Sequence, residues 1–211
     1  MSEITLDVVR QIAKTANLGL HVEIIEYRAG EPDPGALCDI IDRVIDACSV
    51  DMARFAKELD GQSEDQLTVS LILQMKKYGL NTDHDATSGG HCDIVVSDFA
   101  GFLWLGEVKK VSGKQNAWIR AGFDQLLDRY STGLPAQDRG SLILFCNAPR
   151  IDEILSSWAD YLSRNYKHVC ITERDPQSMW FRSEQVHDRT GVKYHVRHKP
   201  ISAYFAPLHV K

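Results

Sequence analysis

At 211 residues and 23.8 kDa the chain is one ordinary domain with room for an added flank. Hydrophobic residues at 44% and charged residues at 25% exclude wholesale disorder, and no apolar run reaches the roughly 18 residues of a membrane span, so no membrane partner is expected. The net charge of −5 hides an asymmetry: residues 1–60 hold 6 Lys+Arg against 12 Asp+Glu, whereas residues 185–211 hold 5 against 1. A basic tail on an acidic body is expected either on a solvated surface or in local contact with phosphates.

The opening Met1-Ser2-Glu3-Ile4 has neither a basic leader nor a long apolar segment, so a secretory signal is not expected. Five cysteines, an odd number without a CxxC pair, argue against a disulfide framework and for a reducing cytoplasm. The first 60 residues form an acidic flank that reads as helix, strand, helix. Val8, Ile12 and Ala16 recur at helical spacing, Leu18 to Tyr27 is β-like, and Glu31 to Gly35 breaks the pattern before a second helical stripe of Ile40, Ile41, Val44, Ile45 and Cys48. This flank is expected to pack on the core or to mediate dimerisation.

From residue 61 the pattern sharpens. Ser63 to Gln66 is a capping box, and the helix after it presents Leu67, Leu71, Met75 and Tyr78 as one stripe ending at Gly79. Glu64 falls on that inward stripe, where an acid needs a partner. His91 to Ser97 is a short β-branched run, Asp98 to Gly101 a turn, and Phe102 to Lys110 a second strand. Residues 117–131 follow as an amphipathic helix on which Trp118 is expected in the core. Ser141 to Cys146 is an apolar strand, continuous enough to be central. A helix near 151–164 and strands near 167–171, 179–184 and 192–198 complete an α/β sandwich around a mixed sheet.

Alternation puts Leu103, Leu105, Glu107 and Lys109 on one face of the second strand. If the turn at Asp98–Gly101 joins an antiparallel pair, positions summing to about 200 face each other, which brings Asp93 opposite Glu107. Two converging carboxylates repel unless a cation lies between them. A hard divalent ion such as Mg²⁺, held by one or two carboxylates and a substrate phosphate, answers that need, and Lys109 would stand beside it to ready a water or neutralise developing charge.

Asp93 with Glu107-Val108-Lys109 after a hydrophobic strand resembles the PD-(D/E)xK nuclease superfamily, and the element order over residues 63–147 is similar to the restriction-endonuclease-like core. Cys92 stands where the family's name has Pro. The resemblance implies a mixed β-sheet flanked by helices, here with an N-terminal α/β flank (1–60) ahead of a nuclease-like core with a β-rich extension (61–211). It implies an Mg²⁺-dependent endodeoxyribonuclease, with Mn²⁺ as a substitute, in bacterial anti-phage defence or restriction. Asp93 and Glu107 would hold the metal, joined by the Val108 carbonyl and by Glu64, which matches the family's early-helix acid. Lys109 would position the attacking water and Gln125 would orient water or phosphate. Arg129, Lys110 and His91 would contact a nucleic-acid substrate, expected to be DNA. The alternatives are a catalytically silent binding or scaffolding subunit of the same fold and an RNA-directed nuclease; a homodimer or a place in a larger complex fits either.

Overall fold

The computed structural model describes residues 5–16, 18–84, 86–87, 91–99 and 101–206, without the side chains of residues 86, 87, 91, 129 and 130. Strand β6 (Arg139–Cys146) is its axis. Leu142, Leu144 and Cys146 enter one buried cluster, while Ile143 and Phe145 enter another on the opposite face. Such a strand, apolar on both sides, belongs in the middle of a sheet. β6 runs parallel to β5 (Leu103–Val111) and to β9 (Lys193–Ser202). Antiparallel neighbours extend both sides: β4 (Ile94–Ser97) and β1 (Thr82–Asp83) beyond β5, β8 (Trp180–Val186) and β7 (Val169–Asp175) beyond β9. The result is a seven-stranded mixed sheet, with a separate two-stranded ladder of β2 (Ala86–Thr87) and β3 (His91–Cys92).

Helices cover both faces. On one side α3 (Pro34–Arg54) and α5 (Glu64–Lys77) set Ile41, Val44, Ile45, Leu67 and Leu71 against Trp104, Val108 and Phe145. On the other, α6 (Asn116–Asp124) and α7 (Ile151–Asn165) pack Ile119, Phe123 and Trp158 on Leu105, Leu142 and Leu144. The capping box at the start of α5 is formed as expected, with Ser63 Oγ accepting from Gln66 N and Gln66 Oε1 from Ser63 N. Asp33 caps α3 with Pro34 at its first position, so the breaker segment also starts the helix.

The N-terminal flank differs from the expected α/β arrangement: through α1 (Leu6–Thr15), α2 (Gly19–Ala29), α3 and the short α4 (Ala56–Leu59) it is helical. The β-like stretch Leu18–Tyr27 lies almost entirely in α2. Leu20, Ile24 and Tyr27 recur at helical spacing and all reach the core, and a helix satisfies its own backbone where a strand with no neighbour would not.

Part of the chain's charge asymmetry is met inside it. Arg197, 2% exposed, donates to both carboxylate oxygens of Asp46 at 2.9 and 2.8 Å and to the Asp42 carbonyl at 3.0 Å. Lys199 lies 2.9 Å from Asp46, and Arg182 donates to Asp42 at 2.7 Å. Arg197 and Lys199, two of the five basic residues of the tail, thus meet the acidic face of α3. No helix among the described residues is long and apolar enough to cross a membrane.

Candidate functional site

The β4–β5 hairpin has the expected register, with Ile94 opposite Gly106 and Ser97 opposite Leu103. The β4 ladder stops at Ile94, and β5 runs on to Val111 with no strand among the described residues paired to its β4-side edge. Three side chains close that edge. Asp93 Oδ2 accepts from the Val108 amide at 2.8 Å, Glu64 Oε2 accepts from the Lys110 amide at 2.5 Å, and Lys109 Nζ donates to the Val108 carbonyl at 2.9 Å. Buried backbone groups left alone cost about 1–3 kcal/mol each, so the polar side chains collect where the sheet runs out of strand.

Glu107 and Lys109 project from the face that carries Leu105 and Val111, under α6. Gly122 allows the close approach: a Cβ there would lie 2.8 Å from Lys109 Cγ and Cε and 3.3 Å from Glu107 Cγ. Lys109 Nζ lies 2.6 Å from Glu107 Oε1 and 3.7 Å from Glu64 Oε1. Glu107 is 2% exposed and Lys109 5%, and the second carboxylate oxygen of Glu107, Oε2, is buried without a hydrogen-bond partner among the described residues.

The electrostatics follow from that crowding. Burial, and then the charge of Asp93, push Glu107 up to about 7 in spite of the adjacent ammonium. Burial raises Asp93 and Glu64 too, against their backbone donors and Lys109. For Lys109 burial is the largest single influence and pulls downward, but Glu107, Glu64 and Asp93 together outweigh it and hold the ammonium above its ordinary range. Three carboxylates share one buried cation.

Comparison with protein-family models, with curated proteins and with solved structures finds no match to this chain.

Among the described residues no group of three or more His, Cys, Asp or Glu side chains is arranged to hold a metal. The reason is visible: Asp93 and Glu64 each have one oxygen tied to the β5 edge, and the Lys109 ammonium fills the space between Glu107, the Val108 carbonyl and Glu64. The donors themselves suit a hard divalent cation. All are oxygens, Glu107 Oε2 is unpartnered, and movement of Lys109 would free Glu107 Oε1 and the Val108 carbonyl for an ion that needs only one or two carboxylates.

The remaining candidates are placed as follows. Gln125 opens a π-helical turn (Gln125–Tyr130) that continues α6; it is half-buried, close to one helical turn beyond Gly122, and makes no hydrogen bond to Asp93, Glu107 or Lys109. The sequence suggests one α-helix through this region, but the wider turn is closed by Ser131 N bonding to the Leu126 carbonyl. Lys110 donates from Nζ to the Gln62 carbonyl at 2.6 Å, tying β5 to the residues ahead of α5. The side chains of His91 and Arg129 lie outside the described residues. Trp118, expected in the core, is 47% exposed and sits with its ring centroid 5.4 Å from Lys109 Nζ. Its offset from the Ile119–Gly122–Phe123–Leu126 stripe was the signal for this, as was the glycine in that stripe for the tight cradle.

Proposed function

We propose that the chain is a divalent-metal-dependent nuclease that hydrolyses DNA phosphodiester bonds at the free edge of β5. One observation carries the reading: Glu107 is buried with an oxygen unpartnered among the described residues, within the field of a second acid, at the place where β5 loses its β4 partner. An ordinary surface salt bridge needs neither the burial nor three acids around one ammonium. Glu107, Asp93 and the Val108 carbonyl would hold Mg²⁺ or Mn²⁺, with Glu64 contributing through its Oε1. A metal held there supplies Lewis-acid chemistry, polarising a phosphoryl oxygen and acidifying water. Lys109, kept charged by its acidic neighbours, is no base; its ammonium stabilises negative charge growing on the phosphoryl oxygens. The attacking water would give its proton to solvent as its oxygen bonds to phosphorus, and the ester oxygen would leave with the P–O bonding pair and take a proton from solvent. Gln125 supplies an amide to orient a phosphate oxygen.

That Asp93, Glu64 and Lys109 already satisfy the β5 edge favours a second reading, a nucleic-acid-binding subunit that does not cleave. Supercoiled plasmid incubated with Mg²⁺ and purified protein separates the two. Wild type is expected to nick, with Glu107→Ala and Lys109→Ala each slower by at least about a hundredfold. Equal nicking by all three proteins would indicate a contaminant, and no nicking by wild type would leave the binding reading. The same assay on RNA fixes the polymer.

A further inference from the structure

Among the four tryptophans, Trp104 and Trp158 are 1% and 0% exposed, and Trp180 carries the guanidinium groups of Arg182 and Arg197 at 5.3 and 4.9 Å from its ring. Trp118 is different. It lies in the first turn of α6, 47% exposed, and among the described residues its indole makes no hydrogen bond and meets no other ring. Leaving an indole half in water forgoes much of its burial energy. Lys109 does not need it as an anchor, being fixed at 2.6 Å by Glu107 and at 2.9 Å by the Val108 carbonyl.

Two lysines that follow Lys109 in the sequence are engaged within the protein. Lys110 is bonded to Gln62, and Lys114 lies 2.8 Å from Glu153. With a net charge of −5 the chain also offers little general attraction to a phosphate backbone. A half-exposed indole beside Lys109 supplies affinity of another kind. Bases inside a duplex are already stacked on their neighbours, so such a face is available only to a base that is out of the stack.

We infer that Trp118 is a substrate-contacting residue, a platform on which an unpaired base stacks next to the scissile phosphate, and that the preferred substrate is single-stranded or frayed nucleic acid. This rests on the nuclease reading and adds the substrate class to it.

The test measures binding and cleavage separately. Binding of a labelled single-stranded 12-mer and of the matching blunt duplex is followed by fluorescence anisotropy in EDTA, for wild type, Trp118→Phe and Trp118→Ala; cleavage of the same oligonucleotides is followed in Mg²⁺ with Glu107→Ala as the inactive control. Wild type is expected to favour the single strand. Trp118→Ala should weaken single-strand binding by about 5- to 150-fold, with the loss appearing in KM rather than kcat, Trp118→Phe should restore most of it, and duplex binding should change less than about twofold. Cleavage with single-strand affinity independent of residue 118, or an equal loss on both substrates, overturns this inference and leaves the nuclease reading standing. A fall in kcat with binding intact also overturns it, since Trp118 would then act by positioning Lys109. Trp118-dependent single-strand binding without cleavage by wild type supports the platform and ends the nuclease reading. Neither binding nor cleavage ends both.

Discussion

Replacing Glu107 by glutamine is expected to stabilise the metal-free protein at alkaline pH while abolishing cleavage. An ordinary glutamate titrates at 4.5, whereas Glu107 in the folded protein is pushed up to about 7. Well below pH 4.5 the carboxyl is neutral in both folded and unfolded chains, and its burial carries no charge penalty. As pH rises the unfolded chain ionises first, and above about 7 the folded chain must hold a buried carboxylate beside Asp93. At about 1.4 kcal/mol per pH unit, the folded state loses about 3 kcal/mol between pH 4.5 and 8.5 through this group. Glutamine keeps the shape and cannot ionise. Denaturant unfolding in EDTA should therefore show Glu107→Gln gaining about 3 kcal/mol on wild type between those two pH values, or about 6–12 °C in Tm for a chain of this size. The same offset at both pH values, or a larger deficit for the variant at pH 8.5, would refute the claim that Glu107 is destabilised by its surroundings. A stabilising substitution that removes activity is what a strained functional group gives.

Other perturbations follow from the same geometry. Lys109→Met removes the one ammonium among three acids and is expected to destabilise the metal-free protein by about 3–5 kcal/mol; millimolar Mg²⁺ or Mn²⁺ should recover part of that loss in a thermal-shift assay, and no response to the ion would contradict the site. Divalent-ion affinity, read by isothermal titration calorimetry, should rise close to tenfold per pH unit up to about 7 and then flatten, because the ion must displace the Glu107 proton. Gly122→Ala forces a methyl group to 2.8 Å from Lys109 and should cost about 1–3 kcal/mol and most of the cleavage. Asp42→Ala leaves buried Arg197 and half-buried Arg182 with one acid fewer and is expected to cost about 3 kcal/mol in urea unfolding, evidence that α3 is held to the sheet by charge as well as by its apolar stripe.

Much of the central architecture was legible because its cues were local and agreed with one another. The capping box, the alternation along β5 and the unbroken apolar run of β6 each specify one element, and the hairpin turn fixed the register that brings Asp93 to the end of the β4 ladder. The failures came where tertiary context decides. α2 has β-branched and aromatic residues that suit a strand, but it has no neighbour to pair with and three of its side chains find the core at helical spacing. At the site, the sequence placed Glu64 on an inward face without showing that it would reach the Lys110 amide 46 residues away. It likewise could not show that Lys109 would lie against Glu107 and the Val108 carbonyl, or that the acidic α3 would meet the basic β9. Those contacts depend on how helices cross the sheet, which local pattern does not encode.

The most direct measurement is anomalous diffraction from a crystal soaked in Mn²⁺ at pH 8. A metal site there requires a peak at about 2.0–2.3 Å from oxygens of Glu107 and Asp93, with Lys109 Nζ moved off the Val108 carbonyl. Lys109 still bonded to Glu107, with no peak at the end of β4, would contradict it.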